Sequence, residues 1–316
     1  NKSNTIENSQ NNEKQELLDI KNDYVFKRTF GYKGDEEVTK VLLRDILGMK
    51  VNEIDLDVNP ITEKELMDDK LGIMDIASVV NDNVQVDIEM QVVNKNNIEK
   101  RIMYYWNAYY QKSISKGDDY GELKRTIIIL IADFEIKGIE QAKKYFTEWE
   151  IREKDYSELI LTDVLKICII ELPKYIKYKV NNPNLNLWTE FLENPEVINM
   201  SEKDIENEKD ESIKTTKKAI KQAKDTLEQI SKDKHEQELA RLRKKYIMDQ
   251  NAIQEYGYCQ GVEDGKRDGI EIGKNDGIQF EKIETAKKML AKKMPIDVII
   301  EITGLSKEEI EDIKKL

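Results

Sequence analysis

Histidine occurs once and cysteine twice in 316 residues, so the chemistry these side chains usually carry has few places to sit. His235 lies in a run of charged residues, which excludes serine-histidine triads, histidine-metal nuclease centres and zinc fingers. Cys168, inside an apolar run, and Cys259, far along the chain, form neither a disulfide framework nor a zinc spacing. No apolar stretch reaches the ~18 residues a membrane helix needs, and no signal-peptide pattern is present. The expectation is a protein that is neither membrane-inserted nor exported, with the reducing cytoplasm as its home. Proline (5) and glycine (14) are scarce while 36% of residues are charged. That predicts a helix-rich soluble chain, long enough for a full core and for two units rather than one.

A net charge of −12 argues against a surface that attracts polyanions everywhere, because nonspecific DNA affinity comes mainly from phosphate neutralisation. Binding of DNA would fall to local patches: Lys27 with Arg28, Lys95 to Arg101, Lys214 to Lys224 with five lysines, and Arg241 to Lys245. Each is either a phosphate contact or a solvated helix face.

What the chain has in place of these is a pair of acids in two short β-branched runs. The runs are Gly72-Ile-Met-Asp75-Ile-Ala-Ser-Val-Val80 and Val84-Gln-Val-Asp87-Ile-Glu89-Met-Gln91-Val-Val93, joined by Asn81-Asp-Asn83. Turn formers between two such runs predict a hairpin, with Asp75 and Glu89 on adjacent antiparallel strands. In the second run a period of two sets Gln85, Asp87, Glu89 and Gln91 on one face and Val84, Val86, Ile88, Met90 and Val92 on the other. In the first run Asp75 interrupts an apolar series, a costly place for a carboxylate unless it is paired or metal-bound. Two carboxylates from neighbouring strands can hold Mg²⁺ and activate a bound water against a phosphodiester. The alternatives are a half-solvated strand, or an Asp that caps a bulge or pairs with an Arg.

Further segments carry a family resemblance: Asn22-Asp-Tyr-Val-Phe-Lys27-Arg-Thr-Phe30, Val41-Leu-Leu-Arg-Asp-Ile-Leu-Gly48, Asp87-Ile-Glu-Met-Gln91, Lys100-Arg101-Ile-Met-Tyr104-Tyr105-Trp106, Ile169-Ile-Glu-Leu-Pro-Lys174 and Leu187-Trp188-Thr-Glu-Phe191. As a set they resemble the recombination-promoting nuclease and transposase family of the PD-(D/E)XK nuclease superfamily. The resemblance implies a divalent-metal DNA endonuclease, using Mg²⁺ or Mn²⁺ on double-stranded DNA, with roles in mobile-element recombination or phage defence. It implies Asp75 and Glu89 as metal ligands, with the Met90 backbone carbonyl as a further one. Gln91 stands where many members of the superfamily carry Lys, and a neutral amide can hydrogen-bond the attacking water but supplies no positive charge. A DNA-binding or assembly protein whose nuclease core has lost turnover is the competing class, and an RNA-directed nuclease a third.

The order of elements fits an α/β restriction-endonuclease-like core, αβββαβ. A helix from Asp35 to Leu47, a strand from Glu53 to Asn59, the acidic hairpin, a helix from Asn97 to Ser115 and a buried strand from Arg125 to Ala132 follow one another. Glu36 or Glu37 can add a third acid. Lys27 is a further candidate for the phosphate. Arg101 and Tyr105, one helical turn apart, can face it too, or Tyr105 can pack on the sheet. Strands from Gln141 to Ile151 and Leu165 to Leu172 extend the sheet.

The expected divisions are a disordered start (1–15), a nuclease domain (16–195), a helical assembly region (196–256), a glycine repeat (257–280) and a helix-turn-helix-like unit (281–316). In the assembly region Ile213, Ile220, Leu227 and Ile230 give an incomplete apolar stripe. Glycines then recur every four residues from Gly257 to Gly277, at a helical cost of about 1 kcal/mol each. They form either a stripe for close helix approach or a flexible linker. In the last unit Ser306 and Glu309 make a capping-box pattern, and eight lysines balance eight acids, leaving DNA and protein both open as partners. Homodimers or higher homo-oligomers through the C-terminal helices are expected.

Overall fold

Alternation along the strands decides which helices cover which face of the sheet. The computed structural model describes residues 16–32, 36–57, 75–94, 97–198 and 200–315. The expectations for 1–15, for the ends of strands at 59 and 72–74, for Asp35 and for Lys95 lie outside the described residues. The elements are α1 (Asp23–Phe30), α2 (Glu36–Leu47), β1 (Ile54–Asp57), β2 (Ile76–Val80), β3 (Val84–Gln91), α3 (Ile98–Gln111), β4 (Arg125–Ala132), β5 (Phe146–Arg152), β6 (Ile160–Glu171), α4 (Pro183–Glu193), α5 (Glu202–Glu206), α6 (Glu211–Lys232), α7 (Lys234–Ala291), α8 (Ile296–Thr303) and α9 (Lys307–Lys315). The chain divides into two compact units, 1–246 and 247–316.

The first unit holds a six-stranded mixed sheet in the order β1-β2-β3-β4-β6-β5. β1, β2 and β3 run antiparallel in turn, whereas β3, β4 and β6 are mutually parallel and β5 returns antiparallel on the edge. The β2–β3 turn forms as its sequence predicts, with positive φ at Asn81 (48°) and Asp82 (63°), a conformation that Asn and Asp tolerate better than other non-glycine residues. Asn81 also ties the turn to the approach to β1: its side chain accepts from the N–H groups of Asn52 and Glu53 and donates to the Lys50 carbonyl.

The apolar face of β3, with Val84, Val86, Ile88 and Met90, shares a core with Ile127, Ile129 and Ile131 of β4 and with residues of α1, α2, α4 and α6. The opposite face of the sheet, with Ile128, Leu130, Ile167 and Ile169, is covered by Ile98, Ile102 and Trp106 of α3. The polar series of β3 therefore faces α3, and it is not half-solvated: Gln85, Asp87 and Glu89 are all buried.

Two edges differ from expectation. β5 starts at Phe146 rather than at 141, because Tyr145 is buried and committed sideways, its N–H to the Tyr178 carbonyl and its hydroxyl to Asn186. β6 starts at Ile160, earlier than its apolar run, since the exposed stretch before Leu165 pairs with the end of β5. The helical region after 195 is a larger correction. Its α6 is not a separate assembly element: Ala219, Ile220, Ala223, Leu227 and Ile230 are buried in the main core, and the alanines complete the stripe that the large residues left open.

One carboxylate joins the three helices of that layer. Asp45 of α2, 5% exposed, accepts from Trp188 Nε1 of α4 at 2.9 Å, from Thr216 Oγ1 of α6 at 2.7 Å and from the Arg44 guanidinium at 2.6 Å.

In the second unit the glycine repeat lies within the continuous 58-residue helix α7, and a Cβ built on any of the six glycines meets nothing within 4 Å. The tail folds as a small helical unit around Ala286, Met289, Ile299, Leu305 and Ile310. Gly304 (φ 68°) caps α8 in the left-handed region, and Ser306 and Glu309 bond reciprocally at the start of α9.

Removing the shared acceptor strands a buried indole N–H and part of a guanidinium at once, while the Thr216 hydroxyl keeps the Ser212 carbonyl. Asp45→Ala is expected to cost about 3–5 kcal/mol in urea unfolding, and a loss under ~1 kcal/mol would show that Asp45 does not organise the layer.

Candidate functional site

Three carboxylates meet on the α3-facing side of the sheet. Asp87 and Glu89 are two residues apart on β3, and Asp75 sits one step beyond the last β2–β3 pair, Ile76 with Ile88, so it falls opposite Glu89. Its Oδ2 accepts the Met90 N–H at 2.7 Å. In an extended strand the N–H and C=O of one residue point to the same side, so the Met90 carbonyl is directed toward Asp75 as well. Gln91 donates from Nε2 to Glu89 Oε2 at 3.3 Å.

The other oxygens are what distinguish the cluster. Both Asp87 oxygens and Glu89 Oε1 are buried without a hydrogen-bond partner, whereas Gln85 on the same face is bonded by Thr126 Oγ1 at 3.0 Å. Burial, then the charge of Glu89, pushes the Asp75 carboxyl well above the usual carboxylate range; the Met90 N–H and Lys27 oppose this. Burial and then Asp75 raise Asp87, and burial and then Asp87 raise Glu89, against the pull of Arg101. Closely spaced carboxylates with too few donors for their oxygens suit a hard divalent cation, which takes carboxylate oxygens and keeps several waters. Carboxylates so grouped have the chemistry for a divalent cation, which Asp75, Glu89 and the Met90 carbonyl would hold. Among the described residues no three His, Cys, Asp or Glu side chains are arranged to share a single ion.

The cations come from helices. Lys27 of α1, 9% exposed, acts on both Asp75 and Asp87. Arg101 of α3 donates from Nε to the Tyr105 hydroxyl at 2.7 Å, and its charge acts on Glu89. Tyr109, one turn further on, closes over Ala77 and donates to the Ser78 carbonyl at 2.9 Å. Tyr105 and Tyr109 are both pushed up, first by burial and then by the nearby acids.

Asp75, Glu89, Gln91, Lys27, Arg101 and Tyr105 are thus brought together. Glu37 is not: it stands at the solvent-facing start of α2, 72% exposed and paired with Lys40 at 2.7 Å. The buried acid that reasoning from sequence passed over is Asp87. Its signal was available in the alternation, since it shares the face of Glu89.

The other motif segments serve the fold. Asn22 caps α1 and reaches the Ala240 carbonyl. Glu171 accepts the Ile136 N–H at 2.8 Å and pairs with the buried Lys174 at 2.7 Å. Trp188 and Phe191 pack edge-on with Phe30. Several residues of the basic patches are engaged by acids: Arg28 by Glu236, Arg243 by Asp23, Lys217 by Glu208 and Lys221 by Glu202.

A family model described as PD-(D/E)XK nuclease family transposase matches residues 20–257. A second, described as Rpn/YhgA-like nuclease family, C-terminal HTH domain, matches residues 279–315. Comparison with curated proteins and with solved structures found no match.

The raised carboxylates set a pH dependence. Groups whose pKa rises on folding stabilise the metal-free fold only while protonated, fully below the unfolded values near ~4 and progressively less as pH climbs through the raised ones. A bound cation reverses that loss, in competition with protons. The gain in melting temperature on replacing EDTA with Mg²⁺ is therefore expected to grow from near zero at about pH 5 to several degrees at about pH 8. A gain that is flat with pH, or absent, would contradict cation binding by these acids.

Proposed function

Because the chain belongs to the PD-(D/E)XK nuclease family transposases, we propose that it is a divalent-metal-dependent endonuclease of double-stranded DNA, acting in mobile-element recombination or phage defence. The observation that carries this reading is the set of partnerless buried oxygens on Asp87 and Glu89 beside Asp75. A bound cation would supply the activated water and offset charge that develops on the phosphate. Asp75, at the start of β2, and Glu89 on β3 would hold the cation, and the hairpin register fixes which of their residues stand opposite each other. Gln91 orients the attacking water through its amide. Arg101, braced by the Tyr105 hydroxyl, presents its guanidinium to the scissile phosphate.

DNA engagement is assigned to the nuclease unit together with the C-terminal helix-turn-helix, which positions the chain on the duplex. A homodimer through α7 is the assembly its surface supports, since Ile270, Ile272 and Phe280 are exposed on a helix with no packing partner around its glycines. Ile272→Asp with Phe280→Asp is expected to convert the dimer to monomer in sedimentation equilibrium; an unchanged mass would remove α7 as the interface.

A second reading, a DNA-binding or assembly protein with little turnover, is favoured by one observation: Gln91 is neutral and spends a donor on Glu89. Nicking of supercoiled plasmid in Mg²⁺ separates the two. The wild type is expected to nick, EDTA to abolish nicking, and Asp75→Ala and Glu89→Ala each to reduce it by at least about 10²-fold. DNA retention in gel shifts without nicking by the wild type would select the second reading.

A further inference from the structure

Loops that leave a sheet at the same end are brought side by side whatever their separation in sequence. β3, β4 and β6 run parallel, and their last residues, Gln91, Ala132 and Glu171, stand in register. The segments after β4 (133–145) and after β6 (172–182) therefore leave from the end of the sheet that carries Glu89 and Gln91. At about 4.8 Å from strand to strand, Glu171 lies about 10 Å from Gln91. The two segments are tied together: the Tyr145 N–H donates to the Tyr178 carbonyl at 3.3 Å, the Glu171 N–H donates to the Tyr145 carbonyl at 2.8 Å, and the rings of Tyr145 and Tyr175 meet edge-on at 5.3 Å.

This joint gathers four exposed lysines, Lys143 and Lys144 just before Tyr145 and Lys177 and Lys179 on either side of Tyr178. In a chain of net charge −12, the two segments hold six lysines against three acids. Asp133 is paired with Lys21 at 3.0 Å, Glu140 accepts the Gly138 N–H at 2.9 Å and acts on Lys137, and Glu135 is exposed. The sixth lysine, Lys174, is buried against Glu171. Lys177 and Lys179 hold their ammonium groups 5.1 Å and 4.8 Å over the rings of Tyr178 and Tyr175, contacts that leave the positive charge uncancelled. The lysine run of α6 differs, since Lys214, Lys217 and Lys221 are each paired with a Glu.

We infer that Lys143, Lys144, Lys177 and Lys179 form a track for the phosphate backbone of duplex DNA beside the acidic site. The inference rests on the reading of DNA as substrate. The site acids and the net charge both repel a polyanion, so the duplex needs neutralising contacts away from the acids. A separation of about 10 Å is about three base pairs at ~3.4 Å each. The track thus takes phosphates that flank the cut, and the scissile one stays with Arg101. Lysine serves there as a point charge, and such contacts position the duplex without reading its sequence.

The test is fluorescence anisotropy of a labelled duplex of about 30 base pairs with the full chain in EDTA, across about 50–200 mM salt. EDTA lets binding be read apart from nicking. Lys143→Gln, Lys144→Gln, Lys177→Gln and Lys179→Gln together are expected to weaken binding at least about 10-fold and to flatten the slope of log affinity against log salt by about 3–4, at ~0.9 per phosphate contact. Lys214→Gln, Lys217→Gln, Lys218→Gln and Lys221→Gln change the net charge equally and are expected to bind within about twofold of wild type. Circular dichroism checks the fold, and Lys143→Gln with Lys144→Gln, expected to give about half the change in slope, serves if the fourfold variant does not fold. Equal weakening by the two fourfold sets, an unchanged slope, or no DNA binding by the wild type would each overturn the track, while nicking in Mg²⁺ would still stand on its own. Track-dependent binding by a wild type that does not nick would keep the track and remove the nuclease reading.

Discussion

The structure is organised around the cost of holding two buried carboxylates, Asp87 and Glu89, beside a half-buried third, Asp75. An ionised carboxylate taken out of water loses several kcal/mol unless hydrogen bonds or a counter-charge replace its hydration. Here Asp87 and Glu89 are placed on a central strand whose neighbours are fixed on both sides, β2 antiparallel and β4 parallel. That position denies them the option of turning to solvent. The remaining architecture is what a sheet needs to tolerate such a face. Its other side is a continuous apolar core under α1, α2, α4 and α6, and α3 is anchored by Ile98, Ile102 and Trp106 so that its polar residues can stand over the acids.

That helical layer is held in turn by polar contacts that are satisfied. Asp45 is as buried as the site acids, yet its oxygens accept from Trp188, Thr216 and Arg44. Glu171 is fully buried and is met by a backbone N–H and by Lys174. The same chain thus contains buried carboxylates whose partners are protein donors and buried carboxylates whose partners are missing. The contrast, rather than burial itself, marks the site.

Much of this was legible in the sequence because it depends on short-range periodicity. The hairpin followed from Asn81-Asp-Asn83 between β-branched runs, and the central strand from the apolar series at Ile127 to Ile131. The face shared by Asp87, Glu89 and Gln91 followed from a period of two. What could not be read was which side of the sheet each helix would cover. A half-solvated face stayed open as an alternative for β3 because nothing local says that α3 folds back over it. Glu37 looked like a third acid because its place in the chain order fits, but the rotation of α2 about its axis is set by Val38, Leu42 and Ile46 facing the core, which turns Glu37 to solvent. Residues 196–256 read as a separate assembly region because their stripe counted only large side chains. Ala219 and Ala223 are small enough to let α6 close on its neighbours, and that contribution is invisible to a count of isoleucine and leucine.

The neutral residue at Gln91 changes where positive charge must come from. A lysine at that strand position would lie beside Glu89 and neutralise it from within the sheet. The amide instead donates one hydrogen bond to Glu89 and leaves the charge unbalanced. Lys27 enters from α1, a helix that precedes the three-strand core, and its charge reaches Asp75 and Asp87, while Arg101 enters from α3 and reaches Glu89. The acids of the cluster are therefore opposed by cations from two helices, Asp75 and Asp87 by Lys27 of α1 and Glu89 by Arg101 of α3. The balance of the site then depends on how α1 and α3 are seated on the sheet. α1 is seated partly through Asp23 with Arg243 and Arg28 with Glu236, ion pairs to the first turns of α7. The start of the long helix is thus mechanically part of the acidic site, although it contributes no side chain to it.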